Sequence, residues 1–177
     1  MKTAVAACAA TLLAGCAMNS QDRPSERVAL GDAEVALIGP DGSHRGTVRM
    51  LQTHGSLLVR VRGVNLPPGT HGAHVHAVGR CDLPDFASAG PHWNPTGRQH
   101  GRDNPAGAHL GDAPNLVIGA DGRGTIEFEI ADAWMRRGAT PVLDGDGGAF
   151  VIHANPDDHR TDPSGNSGAR IACAVLR

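Results

Sequence analysis

Short runs in which apolar and polar residues alternate recur along most of the chain, separated by turns rich in glycine and proline. The clearest run extends from Leu57 to Val64, where apolar residues alternate with Arg60 and Arg62. A period of two is typical of a strand with one face on a core and the other in water. Similar patterns predict further strands at 34–38, 46–51, 73–78, 115–119, 124–130, 149–153 and 170–176.

Two long polar segments, 79–114 and 154–169, separate these strands and show almost no periodicity. A loop of such length in a compact domain is usually functional or disordered. The first loop holds the middle of a histidine cluster, which favours a function. No segment has a strong helical pattern, although 132–137 is compatible with a helical turn. The pattern therefore predicts an all-β fold, an eight-stranded antiparallel barrel or sandwich.

Composition narrows the class of protein. The 177 residues include 24 glycines and 12 prolines, which fits one domain with many turns. The formal net charge of −2 gives no reason to expect nucleic-acid binding. No stretch is long and apolar enough to span a bilayer.

The first residues differ from the rest of the chain. Lys2 precedes a short apolar stretch, and Leu13-Ala14-Gly15-Cys16 resembles the lipobox of bacterial lipoproteins. We therefore expect a signal peptide at 1–15, a lipid on Cys16, a flexible tether at 16–27 and a folded domain at 28–177. An ordinary export signal and a short buried helix remain alternatives. Ala17 favours the outer membrane, so we expect a periplasmic protein whose only membrane contact is its lipid anchor.

The expected compartment determines the predicted state of the cysteines. Cys8 leaves with the signal peptide and Cys16 is the predicted lipid site, which leaves Cys81 and Cys173. In an oxidising periplasm these two most simply form one disulfide, although two separately buried thiols are an alternative.

Six of the ten histidines are candidates for one metal site, together with an aspartate. His74 and His76 are two residues apart, so in a strand both side chains point to the same face and can reach one metal. Asp112 follows His109 three residues later and adds an oxygen ligand. Imidazole suits copper and zinc. The full set is His74, His76, His92, His100, His109, His153 and Asp112.

Several motifs resemble those of the copper/zinc superoxide dismutases, in the family's order and with compatible spacing. They extend across nearly all of 28–177. The matching runs are 69–76 (GTHGAHVH), 90–95 (GPHWNP), 109–112 (HLGD), 151–153 (VIH), 155–158 (NPDD) and 165–173 (GNSGARIAC).

The resemblance implies a Greek-key barrel that binds one copper and one zinc per subunit and dismutates superoxide. The implied copper ligands are His74, His76, His92 and His153. The implied zinc ligands are His92, His100, His109 and Asp112. His92 would then bridge both metals as an imidazolate.

The resemblance also implies roles for residues that are not ligands. Asp157 would link a copper histidine to a zinc histidine, Arg170 would receive the anion beside copper, and Cys81 and Cys173 would form the family's disulfide. The neighbouring His71 would be structural. Candidates for steering superoxide are Arg98, Arg102 and Arg160, and we expect His44, His54 and His159 at the surface.

A second hypothesis is a periplasmic copper- or zinc-binding module without dismutase turnover. Retention of every implied ligand and of Arg170 favours the enzyme. A homodimer is compatible with either hypothesis, and the oligomeric state stays open.

Overall fold

The computed structural model describes residues 32–177. The predicted signal peptide, the lipidation of Cys16 and the whole of the predicted tether lie outside the described residues. Nine strands and one short 3-10 helix (Ala87–Ala89) are present in the described part. The strands are β1 (Asp32–Ile38), β2 (His44–Gln52), β3 (Ser56–Gly63), β4 (Gly69–His71), β5 (Ala73–His76), β6 (Leu116–Ile118), β7 (Gly124–Ala131), β8 (Gly148–His153) and β9 (Arg170–Leu176).

All strand pairing is antiparallel. Seven strands form one curled sheet in the order β5-β8-β9-β1-β2-β3-β7, and β4 pairs with β6 in a second, small sheet. Alternation along the strands fills the core as the sequence predicts, since Val48 opposes Val61 and Met50 opposes Val59, all of them buried. The predicted all-β antiparallel fold class is confirmed.

The expected strand count is wrong by one because the chain changes sheets at Gly72. β4, which precedes it, pairs with β6, whereas β5, which follows it, pairs with β8. A Cβ at Gly72 would lie 2.5 Å from the Ser167 hydroxyl oxygen, so only glycine fits this corner. The strand predicted at 73–78 also ends early, at His76.

The helical turn considered at 132–137 is wrong. The Trp134 amide donates to the Thr140 carbonyl at 3.1 Å, and the Leu143 amide donates to the Met135 carbonyl at 2.7 Å. The segment therefore bonds to the chain that follows it and does not close helical hydrogen bonds on itself. Within residues 32–177, no helix is long and apolar enough to cross a membrane.

Three neighbouring strands gather the site residues at one end of the large sheet. On β5, His74 pairs with Val151 of β8 and His76 pairs with Ala149. At the end of β8, His153 pairs with Arg170 of β9. Isolated bridges join His74 to Asp112 and His76 to His92, so the first long loop lies against the same end.

Candidate metal centre

Four buried histidines form the first ligand cluster, here called the four-histidine group: His74, His76, His92 and His153. One nitrogen of each lies within 4.8 Å of the others. The Nε2 atoms of His76 and His153 lie 3.4 Å apart. These are the predicted copper ligands, and the fold brings all of them together.

The second nitrogen of three of these rings is held by a hydrogen bond. His76 Nδ1 donates to the Gly90 carbonyl at 2.8 Å, and His153 Nδ1 donates to the Gly168 carbonyl at 3.1 Å. His74 Nε2 donates to Asp157 Oδ2 at 2.7 Å. Such bonds orient a ring and leave its other nitrogen unprotonated, as a metal ligand must be.

The buried Nδ1 of His74 is the observation that a metal explains. No hydrogen-bond partner for this atom exists among the described residues. An unpaired buried polar atom is costly, and a bound cation removes that cost. The donor set of four imidazoles suits copper.

A second cluster surrounds one carboxylate and is here called the Asp112 group: His92, His100, His109 and Asp112. Asp112 Oδ1 lies 3.1 Å from His92 Nδ1, 3.0 Å from His100 Nδ1 and 3.3 Å from His109 Nδ1. Three imidazole nitrogens and one carboxylate oxygen form a typical closed zinc site. These are the predicted zinc ligands.

His74 is a geometric alternative to His109 in this cluster. His74, His92, His100 and Asp112 also lie within 4.8 Å of one another. However, His74 Nε2 is already bonded to Asp157, whereas His109 Nδ1 lies 3.4 Å from His92 Nδ1. We therefore assign His109, and not His74, to the Asp112 group.

His92 belongs to both groups. Its Nδ1 faces Asp112, which leaves Nε2 for the four-histidine group. Its ring also stacks on His74 with 3.9 Å between the centroids. The two clusters therefore share one side chain.

Asp157 joins the two groups through separate oxygens. Oδ2 accepts from His74 Nε2 at 2.7 Å, and Oδ1 accepts from His100 Nε2 at 3.0 Å. Asn115 in turn holds the backbone of Asp157, because its Nδ2 donates to the Asp157 carbonyl and its Oδ1 accepts from the Asp157 amide, both at 2.9 Å. Nothing in the sequence marks Asn115, since an asparagine at the start of a strand is common.

Arg170 lies beside the four-histidine group. Its Nη1 donates to the Phe86 carbonyl at 2.6 Å, and its Nη2 donates to the Gly90 carbonyl at 2.7 Å. Arg170, Gly90 and Gly168 line one open cleft of about 600 Å³. The carbonyls of Gly90 and Gly168 also accept from His76 and His153, so this cleft adjoins the four-histidine group.

Comparison with known proteins decides the family. Residues 44–176 match the family model described as copper/zinc superoxide dismutase. The chain belongs to the copper/zinc superoxide dismutase family. It is 39% identical over 145 residues to "Superoxide dismutase [Cu-Zn] 1" of Aquifex aeolicus, covering 80% of this chain and 85% of that relative.

Two further similarities support the assignment. The chain is 40% identical over 140 residues to "Superoxide dismutase [Cu-Zn]" of Caulobacter vibrioides, covering 77% of this chain and 80% of the relative. The crystal structure of a SOD-like protein from Bacillus subtilis superposes with a TM-score of 0.78 at 39% identity, covering 82% of this chain and all 100% of that one. The resemblance inferred from the sequence is confirmed.

The disulfide of this dismutase-family chain is also present. Cys81 and Cys173 are bonded, with 5.8 Å between their Cα atoms. The bond joins the first long loop to β9, the strand that begins with Arg170. The predicted pairing is confirmed, and the alternative of two separate thiols is wrong.

Burial keeps the imidazoles of the four-histidine group neutral. Desolvation lowers the pKa of His74 to about 3, that of His76 to about 2 and that of His153 to about 4. Desolvation also lowers the pKa of His92. Neutral imidazole is the form that binds a metal, so this part of the dismutase-family site is ready for a cation without losing protons.

The Asp112 group has the opposite charge balance. Burial works against the charged forms, but hydrogen bonds from His100 and other groups hold the pKa values of Asp112 and Asp157 well below the usual carboxyl range. Desolvation likewise opposes a charge on His100, yet its hydrogen bonds to Asp112 and Asp157 raise its pKa to about 9. Two carboxylates therefore supply negative charge where zinc is expected.

The remaining histidines fall into two classes. His71 is buried between two carbonyls, 2.8 Å from that of His153 and 2.9 Å from that of Pro67, which fits the expected structural role. His44 and His54 are exposed, as expected. The surface expectation for His159 is wrong: its ring is half-buried, with Nε2 accepting from Asn115 Nδ2 at 3.2 Å.

The proposed steering arginines lie away from the Arg170 cleft. Arg98 and Arg102 line a different cleft, together with His109 and Asp112. Arg160 is exposed on the second long loop. Arg98 also lines a cleft with His92 and His109, whereas the charge of Arg170 acts on His76 and His153.

Proposed function

We propose that this protein dismutates superoxide to dioxygen and hydrogen peroxide: 2 O₂⁻ + 2 H⁺ → O₂ + H₂O₂. Copper would be held by the four-histidine group and zinc by the Asp112 group. The observation that carries the proposal is a complete four-histidine group next to the cleft of Arg170, whose lining glycines Gly90 and Gly168 accept hydrogen bonds from His76 and His153. Bound copper would supply one-electron redox chemistry, whereas zinc has no redox role.

Arg170 would bind the substrate. A guanidinium presents a fixed fork of donors and does not lose its charge, which suits a small anion. Two carbonyls hold the guanidinium in place, so its side chain loses little conformational freedom when the anion binds. Local positive charge at a cleft can also raise the rate of encounter despite a net charge of −2.

His92 would connect the two groups as a bridging imidazolate. Its Nδ1 is fixed beside Asp112, which leaves Nε2 for the four-histidine group, where it would hold a proton and give it to the peroxide product. The Asp112 group would keep the ring in place while this proton moves. Asp157 would keep His74 and His100 in the tautomers that each group needs.

The test is turnover by the purified protein loaded with copper and zinc. We expect superoxide consumption well above that of the same amount of free copper. Arg170→Ala should lower the second-order rate by roughly tenfold or more, since local charge raises anion encounter by that order. His153→Ala should remove one copper ligand and abolish turnover. Arg62→Ala, which removes an exposed arginine from the outer face of β3, is the matched control.

The alternative is a metal-binding module without turnover. The description of the Bacillus subtilis relative as a SOD-like protein keeps this candidate in view. Binding of both metals with no turnover above free copper would contradict the dismutase proposal and favour the module.

We also propose that the protein is exported and anchored to the outer membrane through Cys16, facing the periplasm. The lipobox-like run supports this, and so does the Cys81–Cys173 disulfide, because such bonds persist in oxidising compartments. Cys16→Ala should move the protein from the membrane fraction to the soluble fraction, whereas Cys8→Ala should not. A wild-type protein found only in the soluble fraction would contradict the anchor.

A further inference from the structure

The short loop from Asp82 to Gly90 supplies both carbonyls that hold Arg170. One of them belongs to Phe86, whose backbone lies in the left-handed region with φ 56° and ψ 22°. A bulky residue seldom adopts this conformation. The side chain of Phe86 is fully buried, so the ring is anchored, but the direction of its carbonyl depends on the turn around it.

Asp85 stabilises that turn. Its Oδ1 accepts a hydrogen bond from the Ala87 amide at 2.9 Å, so the side chain spans the left-handed Phe86. A carboxylate that binds the backbone two residues ahead forms a local turn of its own. The Phe86 carbonyl within this turn receives Arg170 Nη1 and also the Ala89 amide at 3.1 Å.

Asp85 also lies near the guanidinium itself. Both residues line the same cleft. Burial lowers the pKa of Arg170, and the negative charge of Asp85 partly offsets this effect. The carboxylate therefore influences Arg170 in two separable ways, through the turn and through its charge.

We propose that Asp85 is a positioning residue, which holds the Phe86 carbonyl where it orients the Arg170 guanidinium toward the cleft. The role rests on the proposed function, in which Arg170 binds the anion. Turn and charge can be separated by substitution. Asp85→Asn keeps an oxygen for the Ala87 amide and loses the charge, whereas Asp85→Glu keeps the charge and moves the carboxylate one methylene away.

The first experiment needs no metal. The metal-free protein is treated with phenylglyoxal, and modification of Arg170 is followed by peptide mass spectrometry with the exposed Arg98 as internal reference. We expect Asp85→Glu and Asp85→Ala to speed modification of Arg170 by roughly fivefold, the change that loss of a typical capping bond corresponds to. Asp85→Asn should stay within about twofold of wild type, because an asparagine oxygen can replace this capping acceptor.

Asp82→Asn is the matched control. Asp82 lies in the same loop and carries the same charge, but its carboxylate pairs with Arg80 at 2.5 Å and does not contact the Phe86 turn. In this variant phenylglyoxal should modify Arg170 at the same rate as in the wild-type protein. An intact disulfide and an unchanged melting temperature would show that the variants fold. If Asp85→Glu does not fold, Asp85→Ala is a second variant that lacks the hydrogen bond to the Ala87 amide.

The second experiment measures anion binding, with azide as the probe and the copper- and zinc-loaded protein as the receptor. Asp85→Glu should bind azide more weakly than wild type, whereas Asp85→Asn should bind it at least as tightly. The proposal is wrong if Asp85→Glu matches wild type in both experiments, or if Asp85→Asn is modified as fast as Asp85→Glu. If turnover is absent but the modification rates differ as expected, the dismutase proposal fails and the positioning role stands.

Discussion

A single carboxylate can control two metal sites when each of its oxygens serves a different one. Asp157 accepts from His74 of the four-histidine group and from His100 of the Asp112 group. Both imidazoles donate, so both oxygens must accept. Neither role is visible in the local sequence, where Asp157 is one of two adjacent aspartates and only the family resemblance distinguishes it.

Asp157→Asn should therefore weaken both metal sites. An amide presents one acceptor and one donor, so either His74 or His100 must lose its bond or change tautomer. At His74 the changed tautomer would protonate Nδ1, the nitrogen that is left for a metal. We expect metal affinity to fall roughly 10- to 100-fold, measured by competition with a chelator.

Asp158→Asn is the control for this prediction. The Asp158 carboxylate is exposed and accepts hydrogen bonds from Arg160, Thr161 and Asn166, none of which has an imidazole. Metal affinity should stay close to wild type. Equal losses in the two variants would mean that loop order, and not the imidazole bonds, controls the affinity.

Gly165 lies against the Asp157 carboxylate, where there is no space for a side chain. A Cβ at this position would lie 1.8 Å from Asp157 Oδ1 and 2.7 Å from His100 Nε2. Gly97 has nearly the same backbone, with φ 63° against 62°, but nothing lies within 4 Å of an added Cβ.

The two glycines therefore form a matched pair for alanine substitution. Gly97→Ala should lower the free energy of unfolding by about 1–2 kcal/mol, the cost of a left-handed backbone. Gly165→Ala should cost roughly 1–3 kcal/mol more through overpacking and should also weaken metal binding. Urea unfolding of the metal-free proteins measures the difference, and equal losses would contradict the clash.

At the scale of elements, the alternation of apolar and polar residues predicts where strands lie. Features that arise from contacts between distant segments are not predicted. The alternation from Leu57 to Val64 reproduces β3 almost residue for residue. The break at Gly72 is not visible, because it arises from contact with Ser167, far along the chain. The same holds for Asn115, whose role exists only once the second long loop lies against β6.

The disulfide links these distant elements. Cys81 and Cys173 are 92 positions apart, and a closed loop of this size should stabilise the fold by roughly 4–5 kcal/mol in the chain-entropy model. A double variant, Cys81→Ser with Cys173→Ser, should lower the free energy of unfolding by up to that amount in urea. Reduction of the wild-type protein should produce the same loss. A double variant as stable as the oxidised protein would show that the loop is held by its other contacts.

Across the whole molecule, the buried histidines make the stability of the metal-free protein depend on pH. Burial lowers the pKa values of His74, His76 and His153 to about 3, 2 and 4, against an ordinary value of 6.5. Below about pH 6.5 the unfolded chain therefore binds more protons at these positions than the folded chain does. Stability should fall as the solution is acidified from that pH. Asp112 and Asp157, whose pKa values are lowered, add a further loss below about pH 4.

His100 contributes with the opposite sign. Its pKa is raised to about 9, so its contribution is complete below pH 6.5 and is lost as the pH rises through about 9. Together the two effects place the maximum stability of the metal-free protein at about pH 7, because at pH 6.5 the three lowered histidines still outweigh His100. Urea unfolding at a series of pH values would measure it. His153→Ala should flatten the acid side of the profile, whereas the exposed His54→Ala should not. A metal-free stability that is constant between pH 5 and 8 would contradict the assignment of neutral buried imidazoles, and with it the view that the four-histidine group is ready for a metal before one binds.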